Sequence, residues 1–273
     1  MASRALNATA SRWLASGIAC DLALSGGVDT GGPASGLRAE LASAKVDLVI
    51  QPAEGRRKRL LLADMDSTMI DQECIDELAD EVGLKQHVAA ITARSMNGEI
   101  AFEPALRERV ALLKGLDAGV IDRIVANRLT LASGGRELVA TMRRNGAWTA
   151  LISGGFTAFT TRIAEKLGFD ENRANILLEA DGKLAGKVAE PILGREAKAT
   201  ALTEIAKRLG ISTSDVIAVG DGANDLDMLA LAGASVALHA KPAVAEQARI
   251  RIDHSDLTAL LYIQGYSEAD FVK

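Results

Sequence analysis

The chain has 273 residues, 48% hydrophobic and 25% charged, enough to bury a core and too apolar for a disordered chain. Its 31 Lys and Arg against 36 Asp and Glu leave a net charge of −5, and aromatics make up 3%, which argues against nucleic-acid binding by charge or base stacking. Two cysteines and three histidines exclude a disulfide framework and a zinc knuckle, and no stretch approaches the roughly 20 apolar residues of a membrane span. A cytoplasmic setting with no nucleic-acid or membrane partner is the expectation.

Residues 1–58 read as a small appended α+β segment, too short for an enzyme by itself. A Gly-rich stretch (Gly26, Gly27, Gly31, Gly32, Pro33 and Gly36) precedes a helix over 37–44, and Val46–Ile50 reads as a strand. Gln51–Gly55 is turn-forming, and the basic run Arg56–Arg59 reads as a solvated linker. Residues 59–273 then form a second unit. Leu60–Ala63 is a short apolar run ending in acids, as a fully buried parallel strand would be. Residues 72–128 carry only helical periodicity, with Leu106, Val110 and Leu113 at i, i+4, i+7, which predicts an inserted helical cap over about 74–130.

Beyond the insertion, a helix opens at Ser133, a strand spans 147–152 and a helix spans 156–167. A strand over 175–179 precedes the hairpin signal Asp181-Gly182. Helix 196–209, strand 216–219, helix 225–232, strand 234–238 and a helix near 256–263 complete the chain. The alternation predicts an α/β fold, a Rossmann-like parallel sheet with helices on both faces, carrying the cap and the N-terminal segment.

In such a sheet, ligands bind beyond the carboxyl ends of the strands. Three apolar runs end in Asp64-Met65-Asp66-Ser67-Thr68, Ser153-Gly154-Gly155 and Gly220-Asp221-Gly222-Ala223-Asn224-Asp225. Asp64 and Asp66, at i and i+2, point the same way on an extended chain, and their repulsion calls for a proton or a cation. Hard oxygen donors without clustered Cys or His favour Mg²⁺, and the segment from Asp221 lacks the spacing of a calcium loop. Ser153-Gly154-Gly155 offers a hydroxyl and backbone N–H groups at an expected helix start, a phosphate-binding arrangement. Lys198 falls in the first turn of a helix, where a cation opposes the dipole; a surface position or a phosphate partner would each account for it. With no Ser-His or Cys-His pair in view, the available nucleophile for phosphoryl transfer is a carboxylate.

These motifs in this order, with Glu73 in Asp71–Cys74 and Arg109 in Phe102–Val110, resemble the haloacid dehalogenase superfamily, most closely its phosphoserine phosphatases, over about residues 59–265. The resemblance implies Mg²⁺-dependent hydrolysis of O-phospho-L-serine to L-serine and phosphate through an aspartyl-phosphate, the final step of serine biosynthesis. It implies Asp64 as nucleophile and Asp66 as general acid and then base. Asp64, the backbone carbonyl of Asp66, and Asp221 would hold the metal, with Asp225 beside it. Ser153, Gly154 and Lys198 would bind the phosphoryl group, and Asn224 would order the site.

By the same resemblance, Glu73 faces the substrate ammonium and Arg109 its carboxylate, with Met96 and Phe102 lining the cap. One Glu and one Arg are the charge complement of an amino-acid head group, and Arg alone grips a carboxylate with two N–H groups. Another small phosphomonoester such as phosphohomoserine, or phosphotransfer, stays open. Residues 1–58 admit a reduced version of the amino-acid-binding ACT module, and the reading admits a homodimer. Cys74 reads as a packed helix residue, and His87, His239 and His254 as structural or surface groups.

Overall fold

A computed structural model describes residue 6, residues 8–24 and residues 33–273; Gly26, Gly27, Gly31 and Gly32 of the Gly-rich stretch lie outside the described residues. The N-terminal segment holds an antiparallel hairpin, β1 (Ala8–Ala15) and β2 (Ala19–Leu24), followed by α1 (Pro33–Ser43). The hairpin was not expected. Its alternation of Ala, Ser, Thr and Arg carries little apolar signal, and most of β1 is exposed.

After β3 (Leu60–Ala63) come four helices: α2 (Cys74–Asp80), α3 (Lys85–Met96), α4 (Phe102–Ala111) and α5 (Val120–Asn127). Then follow α6 (Gly135–Arg144), β4 (Trp148–Phe156), α7 (Thr157–Leu167), β5 (Glu171–Asn175), and the hairpin of β6 (Leu177–Ala180) and β7 (Lys183–Val188). The chain closes with α8 (Arg195–Leu209), β8 (Val216–Gly220), α9 (Leu226–Leu231), β9 (Ala234–Leu238), α10 (Pro242–Ala245), β10 (Ile250–Ile252) and α11 (Ala259–Ile263).

Six strands form one parallel sheet in the order β10-β9-β8-β3-β4-β5. The apolar runs determine why the sheet is covered on both sides. Leu61, Ala63, Ile217 and Val219 face a core shared with Leu138, Met142 and Phe159. Their neighbours Leu60, Leu62, Val216 and Ala218 face the opposite core, against Leu202, Ile205 and Met228. None of these strand side chains is exposed, and each buried Leu or Val is worth roughly 1.5–3 kcal/mol over an exposed one, which locks the register. In that register Leu60–Ala63 pairs with Val216–Val219 on one side and Trp148–Leu151 on the other, so the carboxyl ends of β8, β3 and β4 lie together.

The helices α2 to α5 sit between β3 and β4 in the chain, and the β6–β7 hairpin braces them. Asp181 (φ 52°) and Gly182 (φ 73°) both take left-handed backbone angles, as a two-residue hairpin turn of this kind requires. Gly115 N–H donates to the Leu184 carbonyl, Leu184 N–H to Leu116, and Ala118 N–H to Gly182.

Several local readings are corrected. Val46–Ile50 forms no strand; it is held by its side chains, because the Asp47 carboxylate accepts N–H groups from Asp253, His254 and Ser255 while Val49 packs on the core. The basic run leaves Arg57 and Arg59 exposed, as a solvated linker would, but it also makes defined contacts. Arg56 pairs with Asp21 at 2.8 Å, Arg57 stacks over Tyr266 at 4.3 Å, and Lys58 Nζ donates to the Gly55 and Ser214 carbonyls. The strand expected over 175–179 is two strands, β5 and β6, parted at Ile176. β4 runs on to Phe156, so Ser153–Gly155 ends a strand rather than starting a helix. Three-residue β10, with Arg251 at its centre, gave no periodic signal. Among the described residues, no helix is long and apolar enough to cross a membrane.

Candidate active site

Asp64 follows β3 directly, and its N–H continues the ladder to the Val219 carbonyl at 3.0 Å. The chain then turns sharply. Ser67 takes a left-handed φ of 55°, and the N–H groups of Thr68, Met69 and Ile70 all donate to the Met65 carbonyl. The turn brings Asp66 to the start of α2, where its Oδ1 accepts the Cys74 N–H at 2.8 Å and its other oxygen meets the Ser153 hydroxyl at 3.3 Å. The same turn sets the Ser67 hydroxyl 2.7 Å from Glu73 Oε1. At the end of β4, Ser153 Oγ accepts the Gly155 N–H at 2.8 Å.

Lys198 is fully buried. Its Nζ lies 2.6 Å from Asp225 Oδ1 and 2.7 Å from Asp64 Oδ1. The surface alternative is thus excluded. Asp225 Oδ2 in turn accepts the Gly222 N–H at 3.2 Å, closing the turn after β8. Gly220 is required there: a Cβ at this position would stand 2.4 Å from the Asp225 carboxylate.

Asp64, Asp221 and Asp225 are all buried, with carboxylate oxygens within 4.8 Å of one another. Burial, then repulsion by Asp225, pushes the Asp64 carboxyl well above its ordinary range. Burial and Asp225 also lift Asp221, to about 7. Burial would discharge Lys198, but Asp225 and Asp64 outweigh it and hold the ammonium charged. Lys198 thus meets two of the three carboxylates, Asp225 and Asp64, and Asp221 stands beside them. Three buried carboxylates that can each turn a hard oxygen to one point, with one ammonium among them, fit a divalent cation.

The cap closes over this floor. Asp64, Asp66, Ser153, Gly154 and Asn224 share one cavity with Glu73, Met96, Phe102 and Arg109 from the insertion. Glycines let the two parts meet. A Cβ on Gly154 would lie 2.8 Å from Phe102 Cζ, and one on Gly222 2.7 Å from Met96 Sδ. The space among these residues is small, ≈ 30 Å³. Arg109 is 2% exposed; its Nε donates to the Ala105 carbonyl at 3.0 Å and its Nη1 to Thr92 Oγ1 at 2.9 Å. Burial raises Glu73 well above the carboxylate range, reinforced by Asp66 and Asp221, and burial raises Asp66 against the opposing hydrogen bonds from Cys74. Cys74 is buried, its thiol pushed up mainly by burial.

All twelve residues assigned to the site from the sequence thus converge: nine line the cavity, and Lys198, Asp221 and Asp225 adjoin Asp64. Asn175 escaped that reading. It is buried at the end of β5, where its amide donates to the Gly154 carbonyl at 2.8 Å and the Leu193 carbonyl at 3.1 Å and accepts the Leu193 N–H at 2.7 Å. It straps the end of β4 to the loop that leads into α8. Asn is depleted in strands, so its place in an expected strand was the one available signal.

A family model of haloacid dehalogenase-like hydrolases matches residues 61–230. A phosphoserine phosphatase of Streptomyces coelicolor is 41% identical over 246 residues, covering 89% of this chain; the chain spans 60% of that relative's length. A phosphoserine phosphatase of Methanocaldococcus jannaschii is 42% identical over 206 residues, covering 76% of this chain and 97% of the relative. The solved structure of a phospho-aspartyl intermediate analogue of phosphoserine phosphatase aligns with a TM-score of 0.72 at 42% identity, covering 76% of this chain and 98% of that one.

Proposed function

The chain belongs to the haloacid dehalogenase-like hydrolases, and from that premise we propose that it is a Mg²⁺-dependent phosphatase converting O-phospho-L-serine to L-serine and phosphate. The observation that carries the reading is the single cavity that joins Asp64 and Asp66 on the sheet to Glu73 and Arg109 on the cap. Phosphoserine presents a phosphate at one end and an ammonium and a carboxylate at the other; Glu73 and Arg109 complement the head group, and a cation held by the acids beside Lys198 would complement the phosphate.

Asp64, Asp221 and the Asp66 carbonyl, with Asp225 beside them, would hold Mg²⁺, which supplies positive charge to the phosphoryl oxygens. Asp64 attacks phosphorus as the phosphorus–serine oxygen bond breaks. Asp66, whose carboxyl burial keeps raised, gives its proton to the departing serine oxygen. As a carboxylate it then takes a proton from the water that attacks the aspartyl-phosphate, which releases phosphate and restores Asp64. The Ser153 hydroxyl, the Gly154 N–H and Lys198 bind the phosphoryl oxygens, Asn224 orders them, and the closed cap keeps bulk water out.

The test is phosphate release from O-phospho-L-serine with and without Mg²⁺, for the native chain and Asp64→Asn. Release that needs Mg²⁺ and vanishes in the variant is expected. Release from other phosphomonoesters but not from phosphoserine overturns the substrate, and silence with every phosphomonoester overturns the reaction.

A further inference from the structure

Arg109 reaches the cavity from α4 on a flexible stem, and a guanidinium that must meet a carboxylate squarely is worth more if its direction is set beforehand. Two contacts set it. Nε donates to the Ala105 carbonyl one turn back, and Nη1 donates to the Thr92 hydroxyl on α3. Thr92 is itself buried, and its Oγ1 lies 2.7 Å from Asp76 Oδ1 on α2 and 3.0 Å from the Val88 carbonyl. A hydroxyl has one proton to give. With that proton directed at the Asp76 carboxylate, the lone pairs of Thr92 are left to accept from Arg109.

We propose that Thr92 is a specificity-positioning residue that aims the Arg109 guanidinium at the substrate carboxylate, with Asp76 fixing the polarity of its hydroxyl. The proposal rests on the reading of Arg109 as the carboxylate-binding group. The relay also solves a problem of competition. A carboxylate set directly against Arg109 would take both arms of its fork and block the same two-point grip on a ligand. Asp76 instead acts through Thr92, which consumes one N–H. Of the five N–H groups of a guanidinium, two are used by Thr92 and Ala105, and three remain for the cavity that Arg109 lines. The counter-charge is kept while the fork stays free.

The readout is selectivity: kcat/KM for O-phospho-L-serine relative to p-nitrophenyl phosphate, which has no carboxylate. In Thr92→Val the ratio falls about tenfold, the equivalent of ~1.4 kcal/mol, through a raised KM for phosphoserine. Thr92→Ser, which keeps the hydroxyl, restores the ratio to within about twofold of the native value, and if the Val variant does not fold, Thr92→Ala shows the same fall. Equal losses on both substrates, leaving the ratio unchanged, would mean a structural role and overturn the proposal. Arg109→Ala separates the two readings. If it collapses the ratio while Thr92→Val does not, Thr92 is refuted and Arg109 stands; if Arg109→Ala leaves the ratio unchanged, both fall.

Discussion

Replacing Lys198 by methionine removes the one cation that contacts the carboxylate cluster among the described residues, at 2.6 Å from Asp225 and 2.7 Å from Asp64. Both partners are buried, so neither carboxylate can turn to water. Removing one member of a buried ion pair costs about 3–5 kcal/mol, and here two carboxylates are stranded at once. At roughly 2–4 °C per kcal/mol for a chain of this size, the metal-free variant should melt about 6–20 °C below the native chain near pH 8.

Acid should relieve the deficit, and the sign follows from Asp221. Its folded pKa is raised to about 7 from an ordinary 3.8, so its ionisation opposes folding. That opposition is absent below about pH 3.8, grows with pH and is complete above about 7, where it amounts to something on the order of 4 kcal/mol. Asp64, raised by burial and by Asp225, acts in the same sense. Without Lys198 both carboxyls hold their protons more tightly, so the gap between variant and native chain narrows on acidification. Thermal unfolding followed by circular dichroism, in chelator and then in Mg²⁺, at about pH 5 and about pH 8, measures each of these points. Saturating Mg²⁺ should return part of the loss. Melting within about 2 °C of the native chain in chelator near pH 8, or a gap that widens in acid, would refute the reasoning.

Two further outcomes are expected. Asn175→Ala leaves the Gly154 and Leu193 carbonyls and the Leu193 N–H without their strap, so kcat should fall about 10- to 100-fold for phosphoserine and p-nitrophenyl phosphate alike, with selectivity unchanged. Steady-state kinetics on the two substrates checks it, and a loss confined to phosphoserine would contradict it. Asp47→Ala should free residues 46–50 to proteolysis and cost about 1–3 kcal/mol in urea unfolding, because it removes the acceptor of three backbone N–H groups. Burial alone would raise the Asp47 carboxyl, but those N–H groups outweigh it and hold the pKa below 3.8. Its contribution is therefore fully present above 3.8 and lost as the pH falls through the lowered folded pKa, so the two unfolding curves should converge on acidification.

The parallel strands were legible because Leu60–Ala63 and Val216–Val219 have no polar side, a pattern that only a sheet covered on both faces tolerates. The hairpin at Asp181-Gly182 was legible because two consecutive left-handed residues need that kind of sequence. Val46–Ile50 misled because an apolar run fixes neither burial nor pairing: Val46 stays exposed, and Asp47 finds its partners more than 200 residues away. The role of Arg56–Arg59 was hidden in the same way, since Asp21, Tyr266 and Ser214 come near only through the fold.

By itself, then, the sequence determined the strand ends and what they carry, because the residue that follows a buried run must emerge at a sheet edge. It put Asp64, Ser153 and Asp221 at three such ends. Which ends adjoin was decided by the register of β8, β3 and β4, and that register comes from side-chain packing on both faces. Only the tertiary structure buried Lys198 between Asp64 and Asp225, closed Phe102 onto Gly154 of β4 and Met96 onto Gly222 in the turn after β8, and strung Asp76, Thr92 and Arg109 across three helices. Each of these joins groups from separate elements, and no local period in a chain encodes a contact of that kind.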